Sequence, residues 1–139
     1  AYNFNNDSLY NNFSYTDYQK AIIMHKNLND DDLNFINQFK SKLRKIELEI
    51  DKNQIKPIFI TQLKYDGLKE KKLFLINNEV KKFARRNDYF YIPIDELINM
   101  QINDYYDEIH TTPQGSARIA KAIYPLLLDF FKKNNEIRK

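Results

Sequence analysis

The chain has 139 residues, enough to bury one core and too few for two ordinary ones, so a single domain is expected over 1–139. Its 22 basic and 19 acidic side chains are mixed along the sequence, and the resulting net charge of +3 comes without a basic block, which gives little support to a nucleic-acid or anionic-membrane partner. The absence of cysteine excludes a disulfide scaffold, a thiolate nucleophile and Cys-based zinc sites while leaving the compartment open, and no apolar run approaches the roughly 20 residues of a membrane helix.

The chain begins at Ala1, as a processed, trimmed or partial chain would, and as removal of Met before Ala also gives. No basic-then-apolar signal pattern opens it. Residues 1–16 are rich in Asn and Tyr without a sustained period and read as an irregular segment, ordered if at all by packing on something else. Residues 17–26 hold an apolar run too short for periodicity to decide, with helix preferred over strand. Over 30–51 the pattern is plainer: Asn29 to Asp32 supply a cap and negative charge, and Leu33, Ile36, Phe39, Leu43, Ile46 and Ile50 repeat at steps of three and four, predicting an amphipathic helix.

Pro57-Ile58-Phe59-Ile60-Thr61 is an apolar β-prone run, expected to be an interior parallel strand with Pro57 at its first position. Leu73, Ile76, Val80 and Phe83 mark a helix over about 68–87, and a second strand is predicted over 89–94. Strand, helix and strand in that order predict a βαβ crossover with parallel strands. A short helix is placed at 95–100, a polar loop at 101–112, and a last helix with Thr112 as cap and Pro113 in its first turn, kinked at Pro125 and ending in a frayed tail over 132–139.

The polar loop carries the chemistry. A histidine acting as general base needs one ring nitrogen free towards a nucleophile and the other held by an acceptor, best a carboxylate. Asp107 and His110, three residues apart across a turn, supply both parts, and their loop leads into a helix start, where α/β units place ligands. The plain alternative is a surface turn with an aspartate and a histidine in it. His25 has no carboxylate at an obvious pairing distance and reads as structural or exposed. Asp30, Asp31 and Asp32 are explained by the helix macrodipole without a metal, and two histidines exclude a His-rich metal site. The tyrosines of 2–18 are read as packing residues rather than a stacking platform.

The stretch D107-E-I-H110-T-T-P-Q-G-S-A-R-I-A, together with Ile58-Phe59-Ile60-Thr61-Gln62 and the YFYIPIDEL segment, resembles the C-terminal block of the SGNH, or GDSL-type, hydrolases, over roughly residues 30–132. The resemblance implies an α/β fold, a three-layer α/β/α sandwich with a parallel sheet (flavodoxin-like), of which this chain is the C-terminal part. It also implies hydrolysis of esters, lipid acyl or acetylated carbohydrate, through a serine acyl-enzyme with no metal or organic cofactor. Carried over by position, His110 is the general base and Asp107 its orienting partner. The family's Gly-Asp-Ser block is absent, and Ser8, Ser14, Ser41 and Ser116 lack its strand-to-loop context. The serine is therefore expected from an N-terminal part of the domain, preceding or carried as a separate chain. Phe4-Asn5-Asn6-Asp7 is readable as a degenerate Gly-x-Asn-Asp block with Asn6 as oxyanion donor, although an Asn-rich loop is favoured. The reading from another class is a catalytically inactive binding module.

Overall fold

A computed structural model of the protein describes residues 15–136, so Asn6, Ser8 and Ser14 lie outside the described residues. Helix α1 (Tyr15–Met24) turns Tyr18 and Ala21 inward against Phe74, a spacing of three that resolves the helix–strand ambiguity of this short run in favour of helix. His25 follows it, 6% exposed, its Nε2 2.8 Å from the Leu68 carbonyl and its ring 5.0 Å from that of Phe74, and is a packed structural histidine.

Helix α2 (Asp30–Asn53) opens with a reciprocal capping box in which the Asn29 side chain accepts from the Asp32 amide and the Asp32 carboxylate accepts from the Asn29 amide. Asp32 also pairs with Lys71, so the helix start accounts for this carboxylate. Ile36, Leu43 and Ile50 are buried, whereas Leu33 and Ile46 of the same apolar stripe are 46% and 45% exposed. The stripe is covered along one side only, by α3 (Lys71–Arg86).

Strands β1 (Ile58–Ile60) and β2 (Phe90–Ile92) pair in parallel, Ile58 opposite Phe90 and Ile60 opposite Ile92. The pleat sends alternate side chains to opposite faces. Phe90 and Ile92 join Ile94 and Leu97 of the short helix α4 (Ile94–Leu97) in the main core, closed by Ile119, Ile123, Leu127 and Phe130 of α5 (Pro113–Glu136). On the other face Phe59 meets Phe83 of α3 edge-on at 5.4 Å.

The βαβ unit is thus present, but the three-layer α/β/α sandwich is not. Among the described residues the protein is mostly helical, and its sheet is two strands of three residues each. A flavodoxin-like sandwich of the SGNH type needs a sheet wide enough to bury a helical layer on each face, and two three-residue strands cannot do that, so α2 packs on α3 instead. The expectation of an interior strand for 57–61 fails for the same reason: among the described residues β1 pairs on one edge alone, and Ile60 is 42% exposed. The terminal helix also continues through Pro125 to Glu136, past the start of the tail expected to fray. No helix among the described residues is long and apolar enough to cross a membrane.

Candidate acid–base site

The loop between α4 and α5 is held from three sides. At its start a 3-10 turn, Ile102–Asp104, buries Asp104 completely, and the Asp104 carboxylate accepts from the Gln101 amide at 2.7 Å and pairs with Arg118 of α5. Arg118 donates a second bond to the Asn99 carbonyl at 2.9 Å, which ties two points in the first half of the loop to one guanidinium on α5. At its exit the Thr112 hydroxyl caps α5 by accepting from the Gly115 amide at 3.1 Å, and the Thr112 amide donates to the Asp104 carbonyl at 2.9 Å. A side chain at 115 would put its Cβ 2.1 Å from that carbonyl oxygen, so glycine is required here by close approach of two backbones.

Between these anchors the chain doubles back. Tyr105 and Thr111 form an antiparallel bridge, and the Tyr106 amide donates to the His110 carbonyl at 2.7 Å, leaving residues 107–109 as the tip of a hairpin-like turn. The turn is then pinned to the segment after β1. The Tyr65 amide donates to the Glu108 carbonyl at 2.9 Å, and Lys64 pairs with the Glu108 carboxylate at 3.0 Å and with Glu70 at 2.6 Å.

This geometry brings Asp107 and His110 together as their spacing predicts. Asp107 Oδ1 accepts from the amides of Ile109 and His110, both at 2.8 Å, and Oδ2 lies 2.6 Å from His110 Nδ1. The His110 amide, the Ile109 amide and the imidazole together hold the Asp107 carboxyl down at a pKa of about 2. With Nδ1 donating to the carboxylate, Nε2 is the acceptor nitrogen, and the imidazole, 71% exposed, presents it outward. The dyad can therefore take a proton from a group placed above it and stabilise the imidazolium that results.

The described hydroxyls do not complete it. Ser116 Oγ lies 2.8 Å from Thr111 Oγ1 in the first turn of α5, and Ser41 is exposed within α2; no hydrogen bond joins either to His110. Exposed apolar side chains flank the dyad instead: Ile102, Tyr106 and Ile109 are 64%, 73% and 59% exposed.

A second polar cluster lies at the carboxyl ends of the strands, and sequence reading missed it. Lys81 Nζ, on α3, donates to Asp95 Oδ2 at 3.0 Å, Glu96 Oε1 at 2.5 Å and the Tyr18 hydroxyl at 2.8 Å, while the Thr61 hydroxyl donates to Asp95 Oδ1 at 2.6 Å. Burial pulls the pKa of Lys81 down, but Asp95 and Glu96 outweigh it and hold the ammonium above its ordinary value. The Asn77 amide, one turn earlier, accepts from the Gln62 N–H and donates to the Gln62 carbonyl, both at 2.9 Å, standing in for a neighbouring strand. The signal was a polar row, Asn77 and Lys81, at helical spacing on α3.

Lys64 also lines a cleft of about 330 Å³ whose wall includes neither Asp107 nor His110. No protein-family model, curated protein or solved structure matches this chain.

Proposed function

We propose that Asp107 and His110 are the acid–base half of an ester hydrolase of SGNH type, working with a serine contributed by polypeptide outside the described residues. The observation that carries this reading is the 2.6 Å contact between His110 Nδ1 and Asp107 Oδ2, with the second carboxylate oxygen fixed by two backbone amides. A carboxylate held in this way fixes the imidazole tautomer and orientation, as a triad base requires. His110 Nε2 takes the hydroxyl proton as the serine oxygen adds to the ester carbonyl carbon, and returns it to the leaving alkoxide oxygen as that C–O bond breaks. Water then attacks the acyl-enzyme with the same proton traffic, releasing the carboxylic acid and restoring the serine.

The second reading is a non-catalytic module that docks another polypeptide on the face around the dyad, favoured by the exposure of Ile102, Tyr106 and Ile109. Turnover of a short-chain aryl ester by the intact protein, with labelling by a serine-directed phosphonate, separates the two. The hydrolase reading expects His110→Ala to lower turnover by about three orders of magnitude or more. Unchanged turnover in His110→Ala, or no phosphonate adduct, rejects it in favour of the module.

A further inference from the structure

The hydrogen bonds of β1 fix which way its main chain faces. The Thr61 amide donates to the Ile92 carbonyl at 3.1 Å, so Phe59 and Thr61 turn their amides and carbonyls to β2, while Ile58, Ile60 and Gln62 turn theirs to the opposite edge. At Gln62 that edge is closed, because the Asn77 side chain takes both the N–H and the C=O. The main-chain groups of Ile58 and Ile60 make no hydrogen bond on it among the described residues. A strand edge that carries neither a charge nor a proline is a template for another strand.

Helix α5 overhangs this edge. It runs antiparallel to the strands, from Arg118 beside Asn99, past their carboxyl ends, to Asn134, which accepts from Lys56 Nζ at 2.9 Å just before β1. Phe130 faces β2, its ring 4.9 Å from that of Phe90. At about 100° per residue, Asn134 lies about 40° round from Phe130 towards β1, and Phe131, Tyr124 and Leu128 follow at about 100–160° in the same sense. These three are 53%, 63% and 38% exposed, an apolar row beyond the open edge that continues the exposed Ile60 of β1.

A second copy of the chain fits this face. With a two-fold axis at Phe59, perpendicular to the sheet, Ile58 of each copy faces Ile60 of the other, and each such pair exchanges both of its main-chain bonds. The next position would set Lys56 against Gln62, which Asn77 has closed, so the pairing is bounded at both ends. The helices agree with the same axis. From Lys56 to Phe59 the strand advances about 10 Å, a rise that about seven residues of helix cover, so the axis passes α5 near Leu128, about seven residues before Asn134. Leu128 then meets its own counterpart, and Tyr124 meets Phe131. Two strands at about 4.8 Å spacing are as wide as one helix, so copies joined at β1 hold their α5 helices about 10 Å apart, the distance at which helices pack.

We propose that the open edge of β1 and the Tyr124, Leu128 and Phe131 row of α5 form the interface of a two-fold homodimer with a continuous four-stranded sheet; the inference is independent of the role of Asp107 and His110. Buried aromatic side chains hide about 150–250 Å² each, so the exposed parts of Ile60, Tyr124, Leu128 and Phe131 bring about 800 Å² in total into the contact, at the size of a weak, reversible interface.

The test is the mass of the full chain by sedimentation equilibrium over a range of concentrations. A dimer forming in the micromolar range is expected. Ile60→Pro removes an outward donor that β2 does not use, and Leu128→Glu sets two carboxylates against each other at the axis; each should weaken dimerisation by about tenfold or more. Leu128→Lys should do the same alone, and an equimolar mixture of Leu128→Glu and Leu128→Lys should recover the dimer, which also shows that both variants are folded. A wild-type chain that stays monomeric to millimolar concentration overturns the proposal, and so does its taking up another polypeptide on this face instead of a second copy. Dimerisation that survives Leu128→Glu, or a mixture of the two charged variants that stays monomeric, overturns it as well.

Discussion

Replacing Lys81 by methionine keeps the length of the side chain and deletes the charge at the centre of the buried cluster. The Lys81 and Asp95 side chains are only 3% and 5% exposed, so Lys81→Met leaves the Asp95 carboxylate with the Thr61 hydroxyl and no counter-charge. Breaking a buried pair by removing one partner costs about 3–5 kcal/mol. The lower end applies here, because Thr61 keeps its 2.6 Å bond to Asp95 and Glu96, 30% exposed, can be rehydrated. For a domain of this size about 3 kcal/mol lowers the melting temperature by about 10 °C. Urea unfolding followed by circular dichroism should show the midpoint falling with an unchanged slope. The double variant Lys81→Met/Asp95→Leu should recover at least half of the loss, since an apolar replacement of a buried ion pair is often neutral. The pH dependence has a definite sign: a raised lysine pKa contributes stability that is complete below the unfolded value near 10.4 and is lost as pH rises through the higher folded value. Wild type and variant should therefore differ by a constant amount between pH 7 and 9 and converge only in stronger alkali. A loss below about 1 kcal/mol in Lys81→Met, the size typical of exposed pairs, would refute the assignment of a buried, mutually dependent cluster.

Further outcomes follow from the loop. Gly115→Ala drives a methyl group into the Asp104 carbonyl and should destabilise the protein by about 1–3 kcal/mol, read as a lowered melting temperature, with ester turnover falling in step if the loop carries the dyad. Tyr105→Phe removes a buried hydroxyl without a hydrogen-bond partner and should leave stability unchanged or raise it by about 1 kcal/mol; a clear loss would reveal a partner for that hydroxyl. Burial and then Asp104 push the Tyr105 phenol up to about 12 by penalising its ionised form in the folded state, so stability is insensitive to this group below pH 10 and falls between pH 10 and 12, a window absent from the Tyr105→Phe unfolding profile. Asp107, held near 2, contributes stability above the ordinary carboxylate value and loses it as pH falls from about 4 to 2. Asp107→Asn should erase that acid window and, on the proposed hydrolase reading, lower ester turnover by about 10⁴-fold, because the amide no longer selects the productive imidazole tautomer.

Local features were legible in the residues, and they were legible for local reasons. The Asn29–Asp32 capping box, the Thr112 cap before Pro113 and the Asp107–His110 contact all span five residues or fewer, so backbone geometry brings the partners together once the turn or helix forms. The parallel pairing of β1 and β2 was also foreseeable, because a helix between two strands leaves few other connections. What was read wrongly depends on partners far away in sequence. On α3 the apolar residues Leu73, Ile76, Val80 and Phe83 marked the expected core face, yet of these only Phe83 is buried, and the buried positions include Phe74 and Leu75 together with the polar Asn77 and Lys81. Polarity signals exposure unless a partner arrives, and here the partners are the Gln62 backbone, 15 residues away, and Tyr18, 63 residues away.

By itself, then, the sequence determined the helices, the two strands and a carboxylate–imidazole pair on one turn, because each is specified by neighbours within a few bonds or by a short period. Only the tertiary structure decided the width of the sheet, the burial of a lysine, the pinning of the dyad turn by Lys64 and Tyr65, and the cleft that Lys64 lines. Those features arise where segments separated by tens of residues meet, and whether an apolar stripe is covered or a charge is compensated is settled at that meeting. The half-covered stripe of α2 and the single paired edge of β1 are the places where it went against the three-layer expectation.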